Sequence, residues 1–127
     1  MMSGQDWHQI FGAAAPDVQA IAVGLRDQIL RLHPDAVIVY RPGDRGVSYG
    51  WGPKKMSEAY AYLMPQKSCV NLGFYQGAVL SDPSALLEGT DKALRHVKLW
   101  DQNAVTAPAV QNLILAAMAQ RRLALGL

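Results

Sequence analysis

A succession of short strand patterns with brief connections is the feature that most constrains how this chain can fold. The first pattern is a β-branched apolar run, and the others alternate apolar and polar side chains with the period of two that is typical of strands burying one face. They cover residues 37–40, 47–51, 58–64, 70–75 and 95–100. The connections between the first four patterns are too short for the crossovers that parallel strands need. The sequence therefore predicts an antiparallel sheet of about five strands.

A helical pattern on each side of the strand region completes the predicted domain. Residues 18–32 follow Pro16 and carry apolar side chains at helical spacing. Residues 110–118 repeat this pattern after Pro108, with Thr106 as the expected N-terminal cap. Each helix should therefore cover the sheet with one apolar stripe.

We predict one α+β domain over residues 1–127, a single-layer curved antiparallel sheet with the N- and C-terminal helices packed on one face. Residues 1–15 show no clear period and are expected to form a loosely ordered lead-in. The alternative is that Trp7, Ile10 and Phe11 dock on the domain as a short helical turn.

The connection between the fourth and fifth strand patterns is expected to be a compact loop. Glycines and an Asp-Pro pair punctuate residues 77–89, as is typical of a loop that folds back on itself. Leu86 and Leu87 are expected to anchor this loop in the core. An interaction between Glu88 and Arg95 is predicted to close its base.

Composition limits the classes of partner. The formal net charge is +2 with no clustered basic stripe, which argues against a nucleic-acid partner. No apolar run approaches the length of a membrane span, and the start of the chain does not resemble a signal peptide. Cys69 is the single cysteine and fits a reducing compartment. We expect a soluble cytoplasmic protein with no nucleic-acid or membrane partner.

Several motifs together resemble the YdhG-like domain-of-unknown-function family. They are GVSYGWG at 46–52, VNLGF at 70–74, GA at 77–78, DP at 82–83, LLEG at 86–89 and RHVK at 95–98. The resemblance covers residues 37–99, with a compatible helix on each side, and Asp91 stands where the family pattern often has Gly. It implies a small α+β domain with helices on one face of a curved antiparallel sheet. Most members have no assigned biochemistry, and some relatives are proposed as frataxin-like iron chaperones.

The carboxylates of the central stretch, Asp82, Glu88 and Asp91, with His96 nearby, form a candidate metal site. Asp82, Glu88 and His96 are weak candidates, because oxygen and imidazole donors suit iron. The alternative is structural: Asp82 caps a turn, Glu88 pairs with Arg95 and His96 lies half exposed beside Lys98. An iron-delivery protein of the frataxin type should carry a dense acidic ridge, whereas the ten acids here are dispersed. We therefore expect no cofactor and no tight Fe(II) site.

Aromatic side chains form the second candidate site. Tyr49, Trp51, Tyr60 and Tyr62 can form a cross-strand patch if their strands are neighbours. Core packing under a helix is one interpretation of such a patch. On an open sheet face, the patch would instead bind a small apolar ligand.

Two further residues are predicted to contribute to this ligand site. Asn71 and Tyr75 alternate with the core positions of their own strand and therefore belong to its other face.

No catalytic constellation is evident in the sequence, and we name no catalytic residue. Cys69 has no assignable base, because His8, His33 and His96 are dispersed along the chain. A non-enzymatic domain that binds a small apolar or amphipathic ligand is the leading hypothesis. A homodimerising interaction module and an iron-binding protein are the alternatives, and an enzyme ranks last.

Overall fold

The computed structural model describes residues 4–127 and has an α+β fold. Along the chain, N-terminal helices are followed by an open five-stranded antiparallel sheet and then by a C-terminal helix. The strand order β1-β2-β3-β4-β5 follows the chain, and every neighbouring pair is antiparallel. In order, the elements are α1 Gly4–Phe11, α2 Pro16–Leu32, β1 Val37–Arg41, β2 Gly46–Gly50, β3 Ala59–Pro65, β4 Val70–Phe74, β5 Arg95–Leu99 and α3 Pro108–Ala124. The predicted fold class is confirmed.

One face of the sheet packs on the helices and forms the core. Val47, Leu63, Leu72 and Val97 lie directly opposite one another along neighbouring strands, and all are buried. Helix α2 meets this face with a stripe of side chains at helical spacing, namely Val18, Ile21, Ala22, Leu25 and Ile29. Helix α3 adds Val110, Leu113, Ile114, Ala117 and Met118. The apolar side chains that recur every two residues in the strands therefore pack in a single core with those that recur every 3.6 residues in the helices.

The lead-in predicted for residues 1–15 is wrong over most of its length, although residues 1–3 lie outside the described residues. Helix α1 begins at Gly4, and its Phe11 is fully buried in the core. The rings of Trp7 and Phe11 stack with their centroids 4.4 Å apart, and the Arg26 guanidinium lies over the Trp7 ring. The weaker alternative of a docked helical turn describes this region better, because burial of the aromatic rings holds the short helix in place.

A β-bulge alters the face on which one predicted site residue lies. Tyr49 pairs with Ala61 but the next residue, Gly50, pairs with Ala59, so Tyr60 is an extra residue on β3. A Cβ on Gly50 would lie 2.5 Å from the Cα of Ala59, so this close approach of the two strands requires glycine. As a consequence, the Tyr60 side chain lies in the core. Strict alternation along this strand predicts that Tyr60 and Tyr62 share one face of the sheet, and that prediction is wrong.

The loop between β4 and β5 is anchored differently from the prediction. Leu86 and Leu87 are half-buried against the core, as expected. The predicted Glu88 to Arg95 interaction is wrong, because the Glu88 carboxylate lies 3.8 Å from Lys98 Nζ, while Arg95 donates to the backbone carbonyls of Asp91 and Leu94. The base of the loop is closed instead by backbone hydrogen bonds between Glu88 and His96, at 2.8 and 3.0 Å.

The predicted cap of the last helix is also corrected. Ala107 is the N-cap residue of α3, and its side chain makes no capping hydrogen bond. Thr106 instead closes the preceding 3-10 turn, Gln102–Thr106.

Within residues 4–127, no helix has the length and apolar character needed to cross a bilayer.

Helix α1 should contribute strongly to stability. We expect Phe11→Ala to lower the free energy of unfolding by about 3–5 kcal/mol, because it removes a fully buried ring and leaves a cavity. Gln9→Ala, on the exposed side of the same helix, should change it by less than about 0.5 kcal/mol. Urea unfolding measures both, and equal midpoints would contradict the docking of α1.

Candidate ligand-binding site

The face of the sheet opposite the helices carries the candidate site. Alternation places Ser48 of β2, Tyr62 and Met64 of β3 and Asn71 of β4 on this side, since their neighbours along each strand point into the core. We call it the open face, although loops partly cover it and Ser48 is buried. The small-ligand site predicted from the sequence requires an open sheet face of this kind.

The ring of Tyr62 lies against the backbone of Gly73. The two residues are directly paired across β3 and β4, and a Cβ on Gly73 would lie only 1.8 Å from the Cζ of Tyr62. The outer end of the ring thus occupies the place where any other residue would have its side chain. Tyr75 lies beside it, with the two ring centroids 5.0 Å apart at an interplanar angle of 52°. Together the two rings form a fixed aromatic wall.

A cleft of about 260 Å³ lies next to this wall, and we call it the open-face cleft. Its lining residues are Arg41, Asp44, Gly46, Lys55, Tyr62, Met64, Tyr75 and Leu94. Gly46 leaves room for Met64, since a Cβ there would lie 3.0 Å from the Met64 Cγ. The cleft combines an apolar surface with a few polar groups, which is the usual composition of a small-molecule site.

The polar groups are concentrated around Arg41. Its Nε donates to Ser48 Oγ at 3.2 Å, and its Nη2 donates to the Pro53 carbonyl at 2.9 Å. Burial raises the pKa of Tyr75 to about 12, against smaller opposing effects of Arg41 and of a hydrogen bond with Ser48. Tyr75 is therefore neutral at physiological pH and retains its hydroxyl proton.

An ion pair forms the rim of the cleft. Lys55 Nζ donates to Asp44 Oδ2 at 2.7 Å and thereby ties the turn after β2 to the turn between β1 and β2. This hydrogen bond is the main reason that the pKa of Asp44 is lowered, with Arg41 contributing less. Because both side chains are about half exposed, the pair positions the turns more than it stabilises the fold.

Three of the six predicted ligand-site residues lie on the helix side instead. Tyr49 and Tyr60 are buried in the core, and the Trp51 Nε1 donates to the carbonyl of Met118 in α3 at 3.0 Å. The Tyr60 hydroxyl and the Nδ1 of His33 share a hydrogen bond of 2.7 Å. These three aromatic residues stabilise the packing of the helices on the sheet and do not line the open-face cleft.

The other three predicted residues lie on the open face, but only two line the cleft. Tyr62 and Tyr75 do so, while Asn71 is paired with Met64 further along the sheet. The Oδ1 of Asn71 and the hydroxyl of Tyr49 are buried without a hydrogen-bond partner in the described part of the chain. The predicted cross-strand aromatic patch is thus divided between the two faces.

Sequence reasoning missed several cleft residues. Arg41 directly follows the first strand pattern, and its pairing with Gly46 extends β1 and brings it onto the open face. Met64 lies within the third strand pattern, which does not mark it as a site residue. Leu94 comes from the long loop, so no local pattern marks it. Knowledge of the strand register would have identified the first two of these three.

Of the three weak metal candidates, Asp82 has its carboxylate already engaged by the fold. Both carboxylate oxygens of Asp82 accept backbone hydrogen bonds, from Leu86 at 2.9 Å and from Leu87 at 2.8 Å. Glu88 and His96 are paired through their backbones. Across residues 4–127, no three His, Cys, Asp or Glu side chains gather closely enough to hold a metal ion.

No family model, no curated protein and no solved structure matches this chain. The YdhG-like assignment therefore stays a prediction from the motifs alone.

The frataxin-like alternative has a direct test. Because the Asp82 carboxylate already accepts two backbone hydrogen bonds, we expect anaerobic calorimetric titration with Fe(II) to show no site tighter than about 1 μM. A stoichiometric site tighter than this, lost in the double variant Asp82→Asn with Glu88→Gln while the fold survives, would instead make the central loop a metal site.

Proposed function

We propose that this protein is a non-enzymatic binding domain that holds a small amphipathic molecule in the open-face cleft. The cleft itself is the observation that carries the proposal. Its aromatic wall is fixed by the packing of Tyr62 on Gly73, and its polar end is fixed by the hydrogen bonds of Arg41. A site that is already ordered loses little conformational entropy when a ligand binds.

The arrangement of polar and apolar groups favours an amphipathic ligand over a purely apolar one. Met64, Leu94 and the Tyr62 ring supply the apolar surface, whereas Arg41 and the rim pair of Lys55 with Asp44 supply charge at one side. A hydrocarbon would cover these charged groups without pairing them, which is costly. A molecule with one polar end satisfies both parts of the cleft.

The surroundings of His33 and Cys69 support a non-enzymatic role. His33 is buried on the helix side, where burial lowers its pKa and Tyr60 occupies its Nδ1. Burial also raises the pKa of Cys69, which favours the unreactive thiol over the thiolate. Neither residue lines the open-face cleft. The buried free thiol of Cys69 also supports a cytoplasmic location as part of the proposal.

Homodimerisation is the second candidate function, and it concerns a different surface. Three leucines in α3 and just after it are exposed: Leu115, Leu123 and Leu127 expose 46%, 83% and 66% of their surface. They border a groove of about 420 Å³ that also includes Trp51 and Arg122. Exposed apolar area of this kind often marks a contact with another protein.

The iron-binding alternative has less support, because the Asp82 carboxylate is occupied by backbone donors.

A small panel of ring compounds tests the proposal by NMR. Indole, benzyl alcohol, cyclohexanol and benzoate are titrated into the ¹⁵N-labelled protein. We expect at least one of them to shift the amide signals of Tyr62, Met64 and Tyr75 in a saturable manner. Tyr62→Ala should weaken this binding by about tenfold or more, since it removes the aromatic wall, which corresponds to ~1.4 kcal/mol.

Trp100→Ala is the matched control, because Trp100 is an exposed aromatic residue that does not line the cleft. It should bind the panel as the unmodified protein does. If no compound shifts the cleft signals, the proposal is wrong.

Sedimentation of the same samples addresses the second candidate function. A concentration-dependent dimer that Leu123→Asp abolishes would favour the interaction module.

A further inference from the structure

The positive charge of Arg41 is held in place in the cleft without being neutralised. The two groups that accept its hydrogen bonds, the Ser48 hydroxyl and the Pro53 carbonyl, are both uncharged. None of the ion pairs formed within residues 4–127 includes Arg41. A guanidinium has five N–H donors, and these two hydrogen bonds use only two of them.

The carboxylates near the cleft have partners of their own. Asp44 lines the cleft but is paired with Lys55, which is the main cause of its lowered pKa. Asp91 lies close enough to raise the pKa of Tyr62, an effect second to burial, and its own carboxylate accepts hydrogen bonds from the backbone amides of Ala93 and Leu94, with a smaller effect of the Arg95 charge. With these charges balanced, the cleft keeps the single positive charge of Arg41. An anionic ligand would neutralise it.

We propose that the open-face cleft binds a small carboxylic acid with an aromatic or branched aliphatic body, its carboxylate placed against Arg41. This inference rests on the proposed function and names the ligand class for the same site. A carboxylate matches the planar fork of an arginine and can accept two parallel hydrogen bonds from it. Tyr75 lines the same cleft.

The apolar part of the cleft sets the size of the acid. Tyr62, Met64 and Leu94 offer one aromatic and two flexible aliphatic surfaces. The volume of about 260 Å³ is slightly below that of most small-molecule sites, which usually have about 300–1,000 Å³. A single-ring or short branched acid fits this space, whereas the cleft is too small to enclose a long-chain fatty acid or a nucleotide.

The charge requirement is tested on the unmodified protein with matched pairs of ligands. Benzoate, phenylacetate and 4-methylpentanoate are compared with benzamide, phenylacetamide and 4-methylpentanamide, using the amide signals of Tyr62, Met64 and Tyr75. We expect at least one acid to bind about tenfold or more tightly than its amide, equivalent to ~1.4 kcal/mol. The binding of the acids should also weaken as salt is added.

The outcomes separate this inference from the proposed function. If acids and amides bind the cleft with equal affinity, the carboxylate assignment is overturned and the proposed function stands. If only the amides and neutral ring compounds bind, the assignment is overturned in the same way. If no compound of either series shifts the cleft signals, both are overturned.

A matched pair of variants identifies the cation. Arg41→Gln should remove the preference for the acid over its amide, whereas Arg45→Gln, which makes the same change in net charge at an exposed residue outside the cleft, should retain it. Arg41→Lys should restore part of the preference, because it keeps the charge but loses the fork. An unchanged preference in folded Arg41→Gln would overturn the assignment.

Discussion

The contact between the Tyr62 ring and the Gly73 backbone is the interaction on which the open face depends. Glycine in a strand normally weakens the strand, because it adds no packing surface and increases the entropy of the unfolded chain. Here the missing side chain is replaced by the ring of the paired residue, which lies where a Cβ would be. The ring in turn contacts Tyr75, and both rings line the cleft.

Two turns complete the cleft around this aromatic wall. Arg41 at the end of β1 reaches the Pro53 carbonyl, and Asp44 in the following turn pairs with Lys55. The segment after β2 is therefore attached at two points to the start of the β1–β2 turn. Neither contact contributes much stability, since both are exposed. Their effect is to hold charged groups at one side of an otherwise apolar site.

The sequence predicts the fold well and the site only in part, for physical reasons that differ between the elements. Strands and the two long helices follow from the spacing of apolar residues, which is a local property. Helix α1 has a single group of apolar residues at helical spacing, Trp7, Ile10 and Phe11, which is too short a pattern to predict an ordered helix. It is held by the burial of Phe11 in a core formed from distant residues.

The division of the aromatic residues between the two faces depends on pairing rather than on local sequence. Tyr60 turns to the helix side because a bulge opposite Gly50 changes the register, and a bulge is not visible in the alternation of β3 alone. Likewise Arg41 and Leu94 reach the cleft through strand pairing and through a long loop. Local patterns thus identify which residues form strands, whereas tertiary pairing determines which of them meet.

A double-mutant cycle on Tyr62 and Gly73, followed by urea unfolding, tests the central claim most directly. Gly73→Ala should destabilise the protein by about 1–3 kcal/mol, because its Cβ collides with the Tyr62 ring and forces the ring to move. In the Tyr62→Ala background, the same substitution should be neutral or stabilising, which gives a coupling energy of about 1–3 kcal/mol. An equal effect of Gly73→Ala in both backgrounds would show that the ring is not held by Gly73, and would contradict this account of the open face.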